Sequence, residues 1–180
     1  MGLTRHLPNL VTLSRGATGF LVAGLVWSNH HVAAFFVFIA AILTDLVDGW
    51  LARKLNAYSP WGVFLDALAD KVLTSCTWVA LWTHGWAPTA VAAPILLRNV
   101  IVAALWALNR HRGQQFEPNL LGRLMISFEG VTLPFLLLHV TWMGVHWASA
   151  GVILAVVTLA LSLASAAQYA IYGPAHKGSS

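Results

Sequence analysis

The sequence predicts an all-α integral membrane protein with six transmembrane helices and both termini in the cytoplasm. Composition comes first. Hydrophobic residues make up 58% of the 180-residue chain and charged residues 9%, against roughly 25% charged in an ordinary globular protein. A small soluble domain buries too little surface to hide that much apolar side chain, so lipid must solvate most of its length. The second observation is a set of six apolar stretches, at 9–28, 32–52, 62–83, 87–108, 122–143 and 147–172. Each is about 20 residues long, enough to cross the hydrocarbon core as a helix. The third is where the basic residues fall.

The first stretch runs into the next without a small-residue cleavage site and reads as a retained helix. Ser28-Asn29-His30-His31, His84-Gly85-Trp86-Ala87-Pro88 and Met143-Gly144-Val145-His146 are short polar or Gly/Pro breaks between stretches. Residues 109–121 form the longest polar connection. No repeat or linker divides the chain, so residues 1–180 read as one domain. Arg5 and Arg15 lie near the N-terminus and Arg53 and Lys54 between the second and third stretches. Arg110, Arg112 and Arg123 cluster around the long connection, and Lys177 lies near the C-terminus. The three opposite loops carry no Lys or Arg, which is the positive-inside pattern. Trp27, Trp82, Trp86, Trp142 and Trp147 then fall near the outer interface, and Trp50, Trp61 and Trp106 near the inner one. The net charge of +4 suits an anionic lipid surface, and nothing points to nucleic acid. The lone Cys76 and the eight scattered histidines read as packing and interfacial residues.

Four of the six acidic residues, Asp45, Asp48, Asp66 and Asp70, fall within 26 positions. An ionised carboxylate in a membrane helix costs several kcal/mol, on the order of 3 even by the mildest scales, so a group of four needs partners. Asp45 and Asp48 are spaced i,i+3 and share a face of the second helix; Asp66 and Asp70 are spaced i,i+4 and share a face of the third. Arg53, the one cation expected nearby, cannot neutralise four carboxylates, whereas divalent cations can. Oxygen-only ligands favour hard ions, Mg²⁺ or Mn²⁺. Gly49 and Gly62 remove bulk beside the aspartates, Ala52 keeps the next turn small, and Arg53 offers a guanidinium to a phosphate oxygen.

In full, the segment is Asp45-x2-Asp48-Gly49-x2-Ala52-Arg53-x8-Gly62-x3-Asp66-x3-Asp70. It resembles the signature of the CDP-alcohol phosphatidyltransferases at every fixed position. Leu7 to Arg15, Arg98-Asn99-Val100 and Gly122-Arg123 with Glu129 are similar to elements of the bacterial phosphatidylglycerophosphate and cardiolipin synthases. The resemblance implies a six-helix fold and transfer of a phosphatidyl group from CDP-diacylglycerol to a small polar alcohol, with release of CMP. It implies that Asp45, Asp48, Asp66 and Asp70 hold two divalent metals and that Asp70 is also the catalytic base. Asp48, Gly49, Ala52, Arg53, Gly62 and Asp66 would accommodate the cytidine diphosphate.

Asn99 stands where those synthases usually have an acid, and Glu129 where they usually have Gln. Arg123 stands for the usual Lys. Glycerol 3-phosphate is the expected acceptor, with Arg98, Arg110, Arg112 and Arg123 as candidates for its phosphate; Arg110 and Arg112 serve equally as inside-positive loop charges. Phosphatidylglycerol, an inositol phosphate or another alcohol would use the same chemistry. A divalent-cation transporter is the alternative of a different class, but it would place its acids near the bilayer midplane rather than at one edge. The expected setting is a bacterial-type cytoplasmic membrane, with the site facing the cytoplasm. The family often forms dimers through its membrane helices, so a homodimer is also expected.

Overall fold

The computed structural model describes residues 3–54, 60–111, 120–142 and 145–172, with side chains for 15–47, 54, 65–105, 108, 120–140 and 146–168. Among these, six helices carry the chain: α1 (Leu3–Trp27), α2 (His31–Lys54), α3 (Pro60–Thr83), α4 (Thr89–His111), α5 (Leu120–Leu137) and α6 (Trp147–Tyr172). They match the six apolar stretches. One difference lies between α5 and α6. Residues 122–143 are expected to form one helix, but α5 ends at Leu137 and two short antiparallel strands follow, β1 (Thr141–Trp142) and β2 (Val145–His146). Pro134 withholds an N–H from the last turn of α5, and the Val140-Thr141 pair is β-branched, so the segment favours extended backbone over another helical turn.

Two turns at one end of the bundle are fixed by the same device. Asn29 and Gly85 adopt positive φ, 60° and 82°. At each, the next N–H reaches back five residues, His30 to Leu25 O at 2.8 Å and Trp86 to Leu81 O at 2.8 Å. These are left-handed caps closing α1 and α3, at positions held by the two residue types that tolerate that conformation. Short turns then send α2 back along α1 and α4 back along α3.

α1 packs along α3 and α5 along α6, with α2 beside α1 and α4 beside α3. Glycine allows the closest approaches. A Cβ on Gly19 would lie 2.9 Å from the Leu73 Cα, and one on Gly151 would lie 2.8 Å from the Leu136 N. Val22, Val26, Phe38, Trp78, Leu81, Ile95, Met125 and Leu133 fill the centre. Buried polar groups pair between helices, as Thr132 on α5 does with Thr158 on α6 at 2.9 Å. Outside, Phe20, Phe36, Leu46, Leu97, Val100, Ile153 and Leu163 are more than half exposed, an apolar surface suited to lipid rather than water. α5 and the Trp147–Gln168 part of α6 are long and apolar enough to cross a membrane, and His31–Val47 and Thr89–Leu105 are shorter apolar helices. α3 carries Asp66, Asp70 and Lys71 in its first half, so its sequence is less lipid-like there.

The expected outer aromatic belt is partly described. The Trp27 indole donates to Thr83 at 2.9 Å, and Trp86 stacks on His139 with ring centroids 4.6 Å apart. Both contacts lie at the end opposite the aspartates. The side chains of Trp50, Trp61, Trp106 and Trp142 lie outside the described residues.

Candidate active site

Asp45 sits in the second half of α2 (His31–Lys54), and Asp66 and Asp70 lie one turn apart on α3. The structure brings the three together: one carboxylate oxygen from each lies within 4.8 Å of the others. The side chains of Asp48, Gly49, Ala52, Arg53, Gly62 and Arg110, and all of Arg112, lie outside the described residues.

A cation read from the sequence as an inside-positive charge, at the end of the Leu7–Arg15 stretch and with no role in the site, turns out to be at the centre. Arg15, on α1, pairs with Asp45, Asp66 and Asp70, the last at 3.1 Å. The carboxylates are therefore not without a compensating base, as expected from Arg53 alone. The packing explains how Arg15 gets there. Gly19 lets α1 touch the α3 backbone at Leu73, and Arg15 is one turn earlier on α1 as Asp70 is one turn earlier on α3. The Arg15 side chain is 5% exposed, whereas Asp45, Asp66 and Asp70 are 28%, 46% and 43% exposed. The cluster has a fixed cation behind it and an open front. Three carboxylates offering oxygens at this spacing form an all-oxygen donor set that fits a hard divalent ion, and the buried guanidinium marks the place as one that draws positive charge.

Asp70 also borders a cavity of about 110 Å³ between α3, α4 and α5, whose polar lining is Asp70, Lys71, Thr74, Arg98 and Glu129. Lys71 Nζ donates to Asn99 Oδ1 at 2.8 Å, and Asn99 Nδ2 donates to Glu129 Oε1 at 3.0 Å. The Trp78 indole donates to that same oxygen at 2.8 Å. Lysine is donor-only, so it fixes the orientation of the Asn99 amide: carbonyl to Lys71, nitrogen to the carboxylate. Arg98 donates to Met125 Sδ at 3.2 Å and also lines the cavity. Arg123 is exposed on α5 and does not line it. Sequence reasoning missed Lys71 and Trp78 as well as Arg15. A lysine inside an apolar helix, adjacent to an aspartate, was signal enough to ask for its partner.

Carboxylates converging on an open face beside a largely apolar cavity edged by charged side chains, in a bundle with an apolar exterior, suit a membrane protein that handles charged groups. The particular family follows from comparison. The CDP-alcohol phosphatidyltransferase model matches residues 5–165, and the chain belongs to that family. It is 34% identical over 174 residues to the CDP-diacylglycerol–glycerol-3-phosphate 3-phosphatidyltransferase of Escherichia coli (strain K12), covering 91% of this chain and 92% of that one. It is 33% identical over 149 residues to the protein of the same name from Bacillus subtilis (strain 168), covering 74% and 77%. A cardiolipin synthase (CMP-forming)/mitochondrial hydrolase fusion protein of Schizosaccharomyces pombe is 38% identical over 106 residues, 59% of this chain and 18% of that protein.

Proposed function

We propose that this enzyme transfers the phosphatidyl group of CDP-diacylglycerol to glycerol 3-phosphate, giving phosphatidylglycerophosphate and CMP. The observation that carries the reading is Asp70, which belongs at once to the carboxylate cluster and to the wall of the cavity. Asp45, Asp66 and Asp70, with Asp48 on the same face of α2, would hold two divalent ions, Mg²⁺ or Mn²⁺. Bound there, the ions neutralise charge on the pyrophosphate and on the departing CMP. Gly49, Ala52, Arg53 and Gly62 make room for the cytidine diphosphate.

Asp70 accepts the proton of the acceptor hydroxyl as that oxygen bonds to the diacylglycerol phosphorus. The phosphoanhydride bond breaks, and its electron pair leaves with CMP. Arg98 and Lys71 stand on the cavity wall where the acceptor's own phosphate would rest. Arg123, Arg110 and Arg112 remain candidates for contact with the same dianion. All six helices span the membrane in this reading, with both termini and the site on the cytoplasmic side of the bacterial inner membrane, and two copies associate through their helices.

The test is CMP release by the purified chain from CDP-diacylglycerol with Mg²⁺, Mn²⁺ or EDTA, against glycerol 3-phosphate, phosphatidylglycerol and an inositol phosphate. Cation-dependent release with glycerol 3-phosphate alone is the expected result. Preference for another acceptor would overturn the acceptor, and no CMP under any condition would overturn the chemistry.

A further inference from the structure

The Glu129 side chain is 1% exposed, and its two oxygens are treated unequally. Oε1 accepts from both Asn99 and Trp78, while Oε2 has no hydrogen-bond partner among the described residues. A buried carboxylate oxygen without a donor is costly, because it has lost water and gained nothing. Glu129 nevertheless lines the cavity that Asp70, Lys71 and Arg98 also border. The otherwise largely apolar lining thus carries cations, which suit an anionic group, and a pure acceptor, which suits a hydroxyl donor. A cavity needs roughly 10–15 Å³ to admit one water, so one of about 110 Å³ has room for a small ligand rather than a single water.

We propose that Glu129 is a specificity-determining residue of the acceptor cavity, its Oε2 accepting a hydrogen bond from an acceptor hydroxyl that does not react. This rests on the reading of the acceptor as a polyol phosphate. The reacting hydroxyl lies towards Asp70, the phosphate towards Lys71 and Arg98, and the second hydroxyl supplies the donor that Oε2 lacks. Lys71 and Asn99 position the carboxylate without touching that hydroxyl. An alcohol phosphate lacking the second hydroxyl leaves the oxygen unsatisfied and is rejected for that reason.

The experiment compares kcat/KM for glycerol 3-phosphate with that for 3-hydroxypropyl phosphate, which lacks only the middle hydroxyl. It uses the full chain with CDP-diacylglycerol and Mg²⁺. The parent should favour glycerol 3-phosphate by about 10- to 100-fold, the range for a hydrogen bond to a charged group. Glu129→Gln should shrink that ratio to within about threefold, chiefly by losing activity on glycerol 3-phosphate. Trp78→Phe, which removes a donor from the other oxygen, should lower thermal stability and leave the ratio unchanged. Equal use of both acceptors by the parent overturns the proposal without needing any variant. So does a Glu129→Gln protein that loses activity equally on both. Should the parent use neither phosphate but release CMP with another alcohol, the acceptor reading itself fails, and the proposal with it.

Discussion

Asn99 and Glu129 touch: the Asn99 amide nitrogen lies 3.0 Å from Glu129 Oε1, joining α4 to α5. The two positions that the sequence marks as departures from the resembled synthases are therefore neighbours in the fold. Asn99→Asp alone should set two carboxylates against each other, and Glu129→Gln alone should leave Asn99 and Trp78 donating to a neutral amide, with Asp70 left as the carboxylate acting on Lys71. Each should lower the melting temperature in detergent, and the double variant should recover most of the loss. A coupling of about 1–3 kcal/mol is the size expected for contacting charged neighbours. Strictly additive losses would show that the two side chains act separately.

Asp70→Asn should abolish turnover and spare nucleotide binding. Asparagine keeps the shape and one acceptor oxygen but cannot take the hydroxyl proton. CMP release should fall at least about 10²-fold, while the dissociation constant for CDP-diacylglycerol moves less than about threefold. Comparable losses in both would make Asp70 chiefly a ligand rather than a base.

Arg15→Gln tests the fixed cation. Removing one partner from a buried ion cluster costs about 3–5 kcal/mol, and less here because the three carboxylates are partly open to solvent. In EDTA the melting temperature should fall by roughly 3–10 °C. Millimolar Mg²⁺ should return more of that loss to the variant than it adds to the parent, since the carboxylates lacking Arg15 gain most from another cation. An identical Mg²⁺ response in both proteins would argue that these carboxylates do not hold the ion.

His139, beyond the end of α5, gives a pH signature at the far end of the bundle. Burial, followed by the nearby His31, His146 and His84, pushes its pKa below the ordinary histidine value of 6.5. The folded protein therefore takes up this proton at lower pH than the unfolded chain. Its contribution to stability is complete above about pH 6.5 and is lost as pH falls towards the depressed folded value. Melting temperatures at about pH 7.5 and about pH 5.5 should differ less in His139→Gln than in the parent. An unchanged difference would show that His139 does not set this part of the pH dependence.

The helices were legible because lipid demands long apolar runs and water demands polar breaks. The expected 147–172 coincides with α6, and the breaks at Asn29 and Gly85 became the two left-handed caps. Asp66 and Asp70 could be paired from their i,i+4 spacing, and Asp45 joined to them because a short connection makes the second and third helices antiparallel neighbours. Arg15 could not, since its link to Asp66 spans 51 residues and depends on how closely α1 approaches α3. No periodicity records that Gly19 faces Leu73. The pairing of Asn99 with Glu129 was hidden in the same way: each was visible as a departure, but only helix packing shows that they meet.

The position of Arg15 in the chain bears on how the protein is made. Synthesis runs from the N-terminus, and α1 precedes α2 and α3. The guanidinium that pairs with Asp45, Asp66 and Asp70 is therefore made before any of the three carboxylates. Each aspartate emerges into a chain that already holds its counter-charge, so the order of synthesis never leaves the cluster waiting for Arg15.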